Sequence, residues 1–141
     1  MTIIEVKTSA QIKAFHKIPF NIYKNDTNWI PHIKQDVEKV FSPKDNKFFR
    51  HGEAARWILK NNDNIYIGRI SAFIDRKKAF SEKQPTGGIG FFECIDDLNA
   101  SSILFNTTKK WLKDREMQAM DGPINFGERD RYWGLLVEGF E

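Results

Sequence analysis

The sequence predicts a mixed α/β domain, on three observations. Short β-branched and aromatic runs alternate with stretches whose apolar residues recur at helical spacing. One run, Ile89-Gly90-Phe91-Phe92-Glu93-Cys94-Ile95, is apolar on both faces, as a central strand beneath helices would be. The most regular amphipathic helix follows directly after it.

Ile3, Ile4 and Val6 predict a first strand. Thr8 or Ser9 offers an N-cap hydroxyl to a helix through Ile12, Phe15 and Ile18. Pro19, lacking an N–H, is expected to end or kink it. Pro31 is placed as the first residue of a second helix carrying Ile33, Val37, Val40 and Phe41, closed by Ser42–Asn46. Strand-like Ala54–Leu59 and Ile65–Ile74 flank Asn61-Asn62-Asp63-Asn64, residues that tolerate left-handed turns, and read as a hairpin. A polar stretch from Asp75 to Thr86 leads into the central strand. Asp96, Asp97 and Asn99 then cap the helix whose stripe is Ile103, Leu104, Trp111 and Leu112. A short strand near Met117–Met120 and a turn at Asp121-Gly122-Pro123 follow, and a last apolar run is Leu135-Leu136-Val137. The order is strand, two helices, three strands, helix, strand, within one domain.

Composition bounds the function. The 141 residues hold 12 Phe, 4 Trp and 3 Tyr, so rings rather than small aliphatics fill the core. The net charge of +3 comes from well-mixed signs, with Arg76-Lys77-Lys78 the nearest thing to a basic stripe. No nucleic-acid partner is expected from such a pattern. A single cysteine, Cys94, forbids an internal disulfide and fits a reducing, cytoplasmic setting. No apolar run is long enough to span a bilayer, and no membrane partner is expected.

Glycines in Gln84–Gly90 suggest a phosphate loop, but they precede a strand where a phosphate cradle opens a helix. The true strand-to-helix junction, Glu93–Asp97, is acidic and would repel a pyrophosphate. In the pleat Glu93 shares a face with Ile89, Phe91 and Ile95, where desolvation would suit a general base. The structural alternative is a strand-end carboxylate that meets solvent or an arginine. His16, His32 and His51 lack ligand spacing with one another or with Cys94, so no metal is expected. Cys94 reads as a core residue. Arg129, Arg131, Tyr132 and Trp133 could stack on a nucleotide or a partner, or simply pack at the surface.

The element order resembles the first two thirds of the GNAT superfamily of N-acetyltransferases. Gly122-Pro123-Ile124-Asn125-Phe126 and Gly134-Leu135-Leu136-Val137-Glu138-Gly139-Phe140-Glu141 resemble segments of a group of uncharacterised bacterial GNAT-like proteins. Gly90-Phe91-Phe92-Glu93 and Ile67-Gly68-Arg69-Ile70 are similar to that group's central strands. The resemblance implies a mostly antiparallel sheet flanked by helices. It also implies acyl transfer from acetyl-CoA or another acyl-CoA to a small-molecule or peptide amine. The central strand's backbone would orient the thioester, Glu93 would be the base, and Phe92 and Cys94 would neighbour the cofactor groove. Superfamily enzymes hold the pyrophosphate with a Gln/Arg-x-x-Gly-x-Gly/Ala loop after the fourth strand, which the acidic junction here lacks. The superfamily's last helix and strands would fall beyond Glu141, so a fragment or truncated relative is expected. An incomplete sheet predicts self-association. The alternative is a non-catalytic interaction or assembly module that has lost the cofactor loop.

Overall fold

The computed structural model describes residues 1–127. Five strands, β1 (Thr2–Glu5), β2 (Gly52–Lys60), β3 (Tyr66–Asp75), β4 (Thr86–Cys94) and β5 (Ala119–Asp121), lie in that order in one sheet. Pairing is antiparallel from β1 to β4 and parallel between β4 and β5. Helices α1 (Ser9–Ile22) and α2 (Lys34–Val40) pack on one face. A single turn, α3 (Arg76–Ala79), breaks the expected polar link before β4, and α4 (Leu98–Lys113) covers the other face. The mixed, mostly antiparallel sheet flanked by helices is the architecture expected from the sequence. The run at 135–137, the Arg129–Trp133 cluster and the 134–141 motif lie outside the described residues.

Local chemistry explains the elements. Thr8 and Gln11 form a reciprocal capping box at the start of α1. Asn64 takes a φ of 60° in the β2–β3 turn, while the Asn61 side chain accepts from the Asp63 and Ile65 N–H groups. Two helix boundaries differ from expectation. Pro19 does not end α1, which continues to Ile22 with the Tyr23 N–H bonded to the Pro19 carbonyl. The missing proline N–H frees the carbonyl four residues earlier, that of Phe15, and the Arg69 Nη1 donates to it at 3.0 Å. Helix α2 begins at Lys34, because Ile33 is extended and the Pro31-His32 segment instead lines a cavity against α1.

Strand β4 carries the main irregularity. Phe91 adopts a φ of 49°, and the register with β3 shifts between Arg69 and Ser71. This bulge breaks the alternation assumed from the sequence. Ile89, Phe92 and Cys94 face α4, whereas Phe91 packs in the α1 cluster. Glu93 therefore shares a face with Phe91 but not with Ile89. Just before the bulge, Gly90 lies under residues 122–126: a Cβ there would sit 2.2 Å from the Ile124 carbonyl oxygen. Gly90→Ala is expected to destabilise the fold by about 2 kcal/mol, read as a lowered denaturant midpoint with unchanged slope.

Candidate functional site

Pairing of β5 with β4 runs only from Thr86 to Gly88, so among the described residues β4 past the bulge pairs with β3 alone. The Ile95 N–H donates to Ile67 at 3.0 Å, which makes those two a hydrogen-bonded pair across β3 and β4. Alternation then points the Cys94 N–H and C=O to the opposite edge, which no described strand covers. Beside this edge, on the α1 face, stands Glu93.

Three elements converge on Glu93. Arg69 is its cross-strand partner, with Nη2 3.7 Å from Oε1. The Tyr23 hydroxyl, just past α1, donates to Oε2. His32, from the α1–α2 loop, lines the same cavity of about 370 Å³ as Arg69 and Glu93, with Trp29 and Pro31 on its wall and Lys13 and Lys17 along α1. The Arg69 side chain is only 4% exposed and stacks over the Phe15 ring. Burial pushes the guanidinium down to about 10, opposed by Glu93 and Tyr23, so it stays charged at neutral pH. Burial, followed by the bond to Glu93, raises the Tyr23 phenol, which remains a donor throughout the physiological range. Burial and then Arg69 lower the His32 imidazole, favouring its neutral form. The Nε–H of Arg69 is buried without a hydrogen-bond partner among the described residues, leaving one donor for a bound oxygen.

Of the three site residues predicted from sequence, Glu93, Phe92 and Cys94, only Glu93 lines this cavity. Its partner set is the arginine alternative, joined by a tyrosine. Phe92 stacks on Phe105 of α4 with ring centroids 4.6 Å apart, and the Cys94 side chain packs in the same α4-side core. Their side chains point away from Glu93, so what they can offer to a groove is backbone. Burial pushes the Cys94 thiol up to about 11, which suits a core residue rather than a nucleophile. The acidic junction is real: Asp97 Oδ1 accepts the Ala100 N–H at 2.7 Å and occupies the N-terminus of α4. Among the described residues no three His, Cys, Asp or Glu gather as a metal site.

The cavity's far wall is held by a second charge cluster. Glu38 of α2 takes a bidentate bond from Arg56, at 2.6 and 3.0 Å, and contacts His16 Nε2 at 2.6 Å. Burial opposes ionisation of Glu38, but the His16 and Arg56 bonds together outweigh it and hold the carboxyl near 2. This stability is therefore present above the ordinary carboxylate value near 4.5 and is lost as pH falls towards 2. Discounted for solvent screening, it is about 1–2 kcal/mol. The stability gap between the wild type and Glu38→Gln should close as pH drops from 5 to 2 in denaturant titrations; a gap that stays constant contradicts the assignment.

Comparison with known proteins adds the fold's identity. No family model matches the chain. The bacterial ceramide synthase of Caulobacter vibrioides is 33% identical over the whole chain, which covers 36% of that protein. Protein YghO of Escherichia coli is 32% identical over 92% of the chain and 33% of its own length. The chain thus spans about a third of the length of these curated relatives. Among solved structures, a candidate acetyl transferase of Pyrococcus furiosus aligns over 98% of this chain and 97% of its own, with a TM-score of 0.54 at 15% identity. A GNAT-family acetyltransferase of Staphylococcus aureus aligns over 82% of this chain and 68% of its own, with a TM-score of 0.56 at 15% identity. The acetyltransferase AAC(6')-Iy, in complex with a CoA bisubstrate analogue, aligns over 88% and 79%, with a TM-score of 0.56 at 10% identity. The chain has a GNAT-like fold.

Proposed function

We propose that this GNAT-like domain transfers an acyl group from an acyl thioester, such as an acyl-CoA, to the nitrogen of an amine. The observation that carries the reading is the placement of the Glu93 carboxylate. It stands at the floor of an open cavity, one residue from a strand edge whose amide lacks a described strand partner. The Cys94 N–H can donate to the thioester carbonyl as negative charge grows there. From the cavity side, Glu93 accepts a proton from the substrate ammonium, and the freed nitrogen attacks the carbonyl carbon. As the C–S bond breaks, the nitrogen, cationic after the attack, gives up its second proton to the departing thiolate, and the proton held by Glu93 is released to solvent through the open cavity. Tyr23 and Arg69 fix the carboxylate from two sides, and neutral His32 adds no charge against an incoming ammonium.

The thioester half of an acyl-CoA fits this geometry better than its diphosphate. The N-terminus of α4 is filled by Asp97, so a diphosphate would have to be held elsewhere. That same observation favours the second reading, a non-catalytic module. The name of the Caulobacter relative points to a long-chain amino alcohol as acceptor, because ceramide is the N-acylated form of one. Incubation with palmitoyl-CoA and a long-chain 2-amino-1,3-diol should yield the amide, read by mass spectrometry. A folded chain that forms no amide with any long-chain amine favours the non-catalytic module.

A further inference from the structure

The buried Arg69 guanidinium presents one edge that no described residue uses in full. Its Nη1 is committed to the Phe15 carbonyl at 3.0 Å, which fixes the group beneath α1. The Phe15 and Phe91 rings stand 4.6 and 5.9 Å from the guanidinium carbon, so an acceptor reaches the group along an edge. In a planar guanidinium Nε–H and the inner N–H of Nη2 point the same way, as a two-pronged fork. Nη2 stands 3.7 Å from Glu93 Oε1, longer than a normal hydrogen bond. The second prong, Nε, is buried with no hydrogen-bond partner among the described residues. The fork therefore faces the side on which Glu93 lies, and both residues line the same cavity. Donors buried this deeply are ordinarily given an acceptor.

Glu93 supplies the complementary half. Tyr23 donates to Oε2, while Oε1 has the long contact to Arg69. A donor fork and a carboxylate oxygen thus stand side by side on paired strands. A ligand that meets both carries a cationic nitrogen for Oε1 and, on the adjacent carbon, an oxygen for the fork. Charge selects the kind of oxygen. The Arg69 cation already faces the Glu93 anion, and a second carboxylate set against Oε1 would be repelled at short range. A neutral hydroxyl or ketone accepts from the fork without that repulsion. Lys13, Lys17 and Lys34 also line the cavity, but from α1 and the start of α2 rather than from the strand pair. We propose that Arg69 determines acceptor specificity, its Nε–H and Nη2 reading a neutral oxygen on the carbon next to the one that bears the amine. The acceptors it favours are 2-amino alcohols and 2-amino ketones over simple amines. This role rests on the function proposed above, which assigns the choice of acceptor to no residue.

The test uses amines short enough to dissolve, with no thioester present. By calorimetry 2-amino-1-octanol should bind about tenfold or more tightly than 2-aminooctane, the order of one hydrogen bond to a charged group. The carboxylate analogue, 2-aminooctanoic acid, should bind more weakly than the alcohol. In the isotope-labelled chain the Arg69 Nε–H resonance should shift and exchange more slowly with solvent when the alcohol binds, and stay in place with 2-aminooctane. Arg69→Lys keeps a cation but lacks the fork, so it should bring the affinities for alcohol and alkane together. Matching thermal transitions check its fold, and the wild-type resonance decides the matter if it unfolds. Equal wild-type affinities for the alcohol and 2-aminooctane overturn the assignment, as does tighter binding of the amino acid or failure of all three to bind. A preference for the alcohol in which the Arg69 Nε–H does not move overturns it too, by giving the oxygen to another donor. Binding is read without turnover. A chain that binds the alcohol through Arg69 and acylates no amine sinks the function alone; one that acylates 2-aminooctane as fast as the alcohol sinks this role alone.

Discussion

Glu93→Gln should lower the rate of amide formation by about 10²–10⁴-fold, the range for loss of a positioned general base. The substitution keeps the size of the side chain and an oxygen for the Tyr23 hydroxyl, so the local structure has little reason to change. What disappears is the group that removes a proton from the ammonium. The loss should therefore fall on kcat, with thioester affinity within a few-fold of wild type. Equal turnover in the variant would remove Glu93 from the chemistry and leave the Glu93–Tyr23–Arg69 cluster as structure only. Tyr23→Phe separates positioning from proton transfer. It should cost about tenfold, the order of one hydrogen bond to a charged group.

Arg69→Met should give the largest loss of stability, about 3 kcal/mol by denaturant unfolding, as expected when one partner of a buried charge pair is removed. Two acceptors are left wanting. Glu93 loses its cross-strand cation, and the Phe15 carbonyl loses the one donor assigned to it, since Pro19 has no N–H to supply. That second loss can be repaired. Pro19→Ala restores a helical N–H opposite the Phe15 carbonyl, so in the Arg69→Met background it should recover about 1 kcal/mol. In the wild-type background the restored N–H competes with Arg69. Additive effects of the two substitutions would show that the proline and the arginine are not linked through that carbonyl.

The fold was largely legible because its signals are local. The alternating runs of β2 and β3, the asparagine-rich turn and the capped stripe of α4 each stand in a few consecutive residues. Glu93 was legible for a related reason: a carboxylate within an apolar strand is anomalous on its own. Its neighbours were not. Tyr23, His32 and Arg69 meet it only through the sheet register and the path of the α1–α2 loop. Arg69 did leave a trace, as the one cation within the apolar run Ile65–Ile74. The face shared by Glu93 was misjudged because no composition signal marks a bulge at Phe91, a bulky residue in left-handed backbone. Pro19 was read as ending or kinking the helix, and the first of these did not occur; its other consequence, a freed carbonyl, matters only when a distant arginine arrives to use it.

The central claim is that the open edge of β4 at Cys94 receives an acyl thioester beside Glu93. Titration of acetyl-CoA into the isotope-labelled chain, following the backbone amide of Cys94, tests it most directly. A saturable shift of that amide with micromolar affinity, retained in Glu93→Gln, is the predicted result. A folded spectrum in which the Cys94 amide does not move at millimolar acetyl-CoA would contradict it.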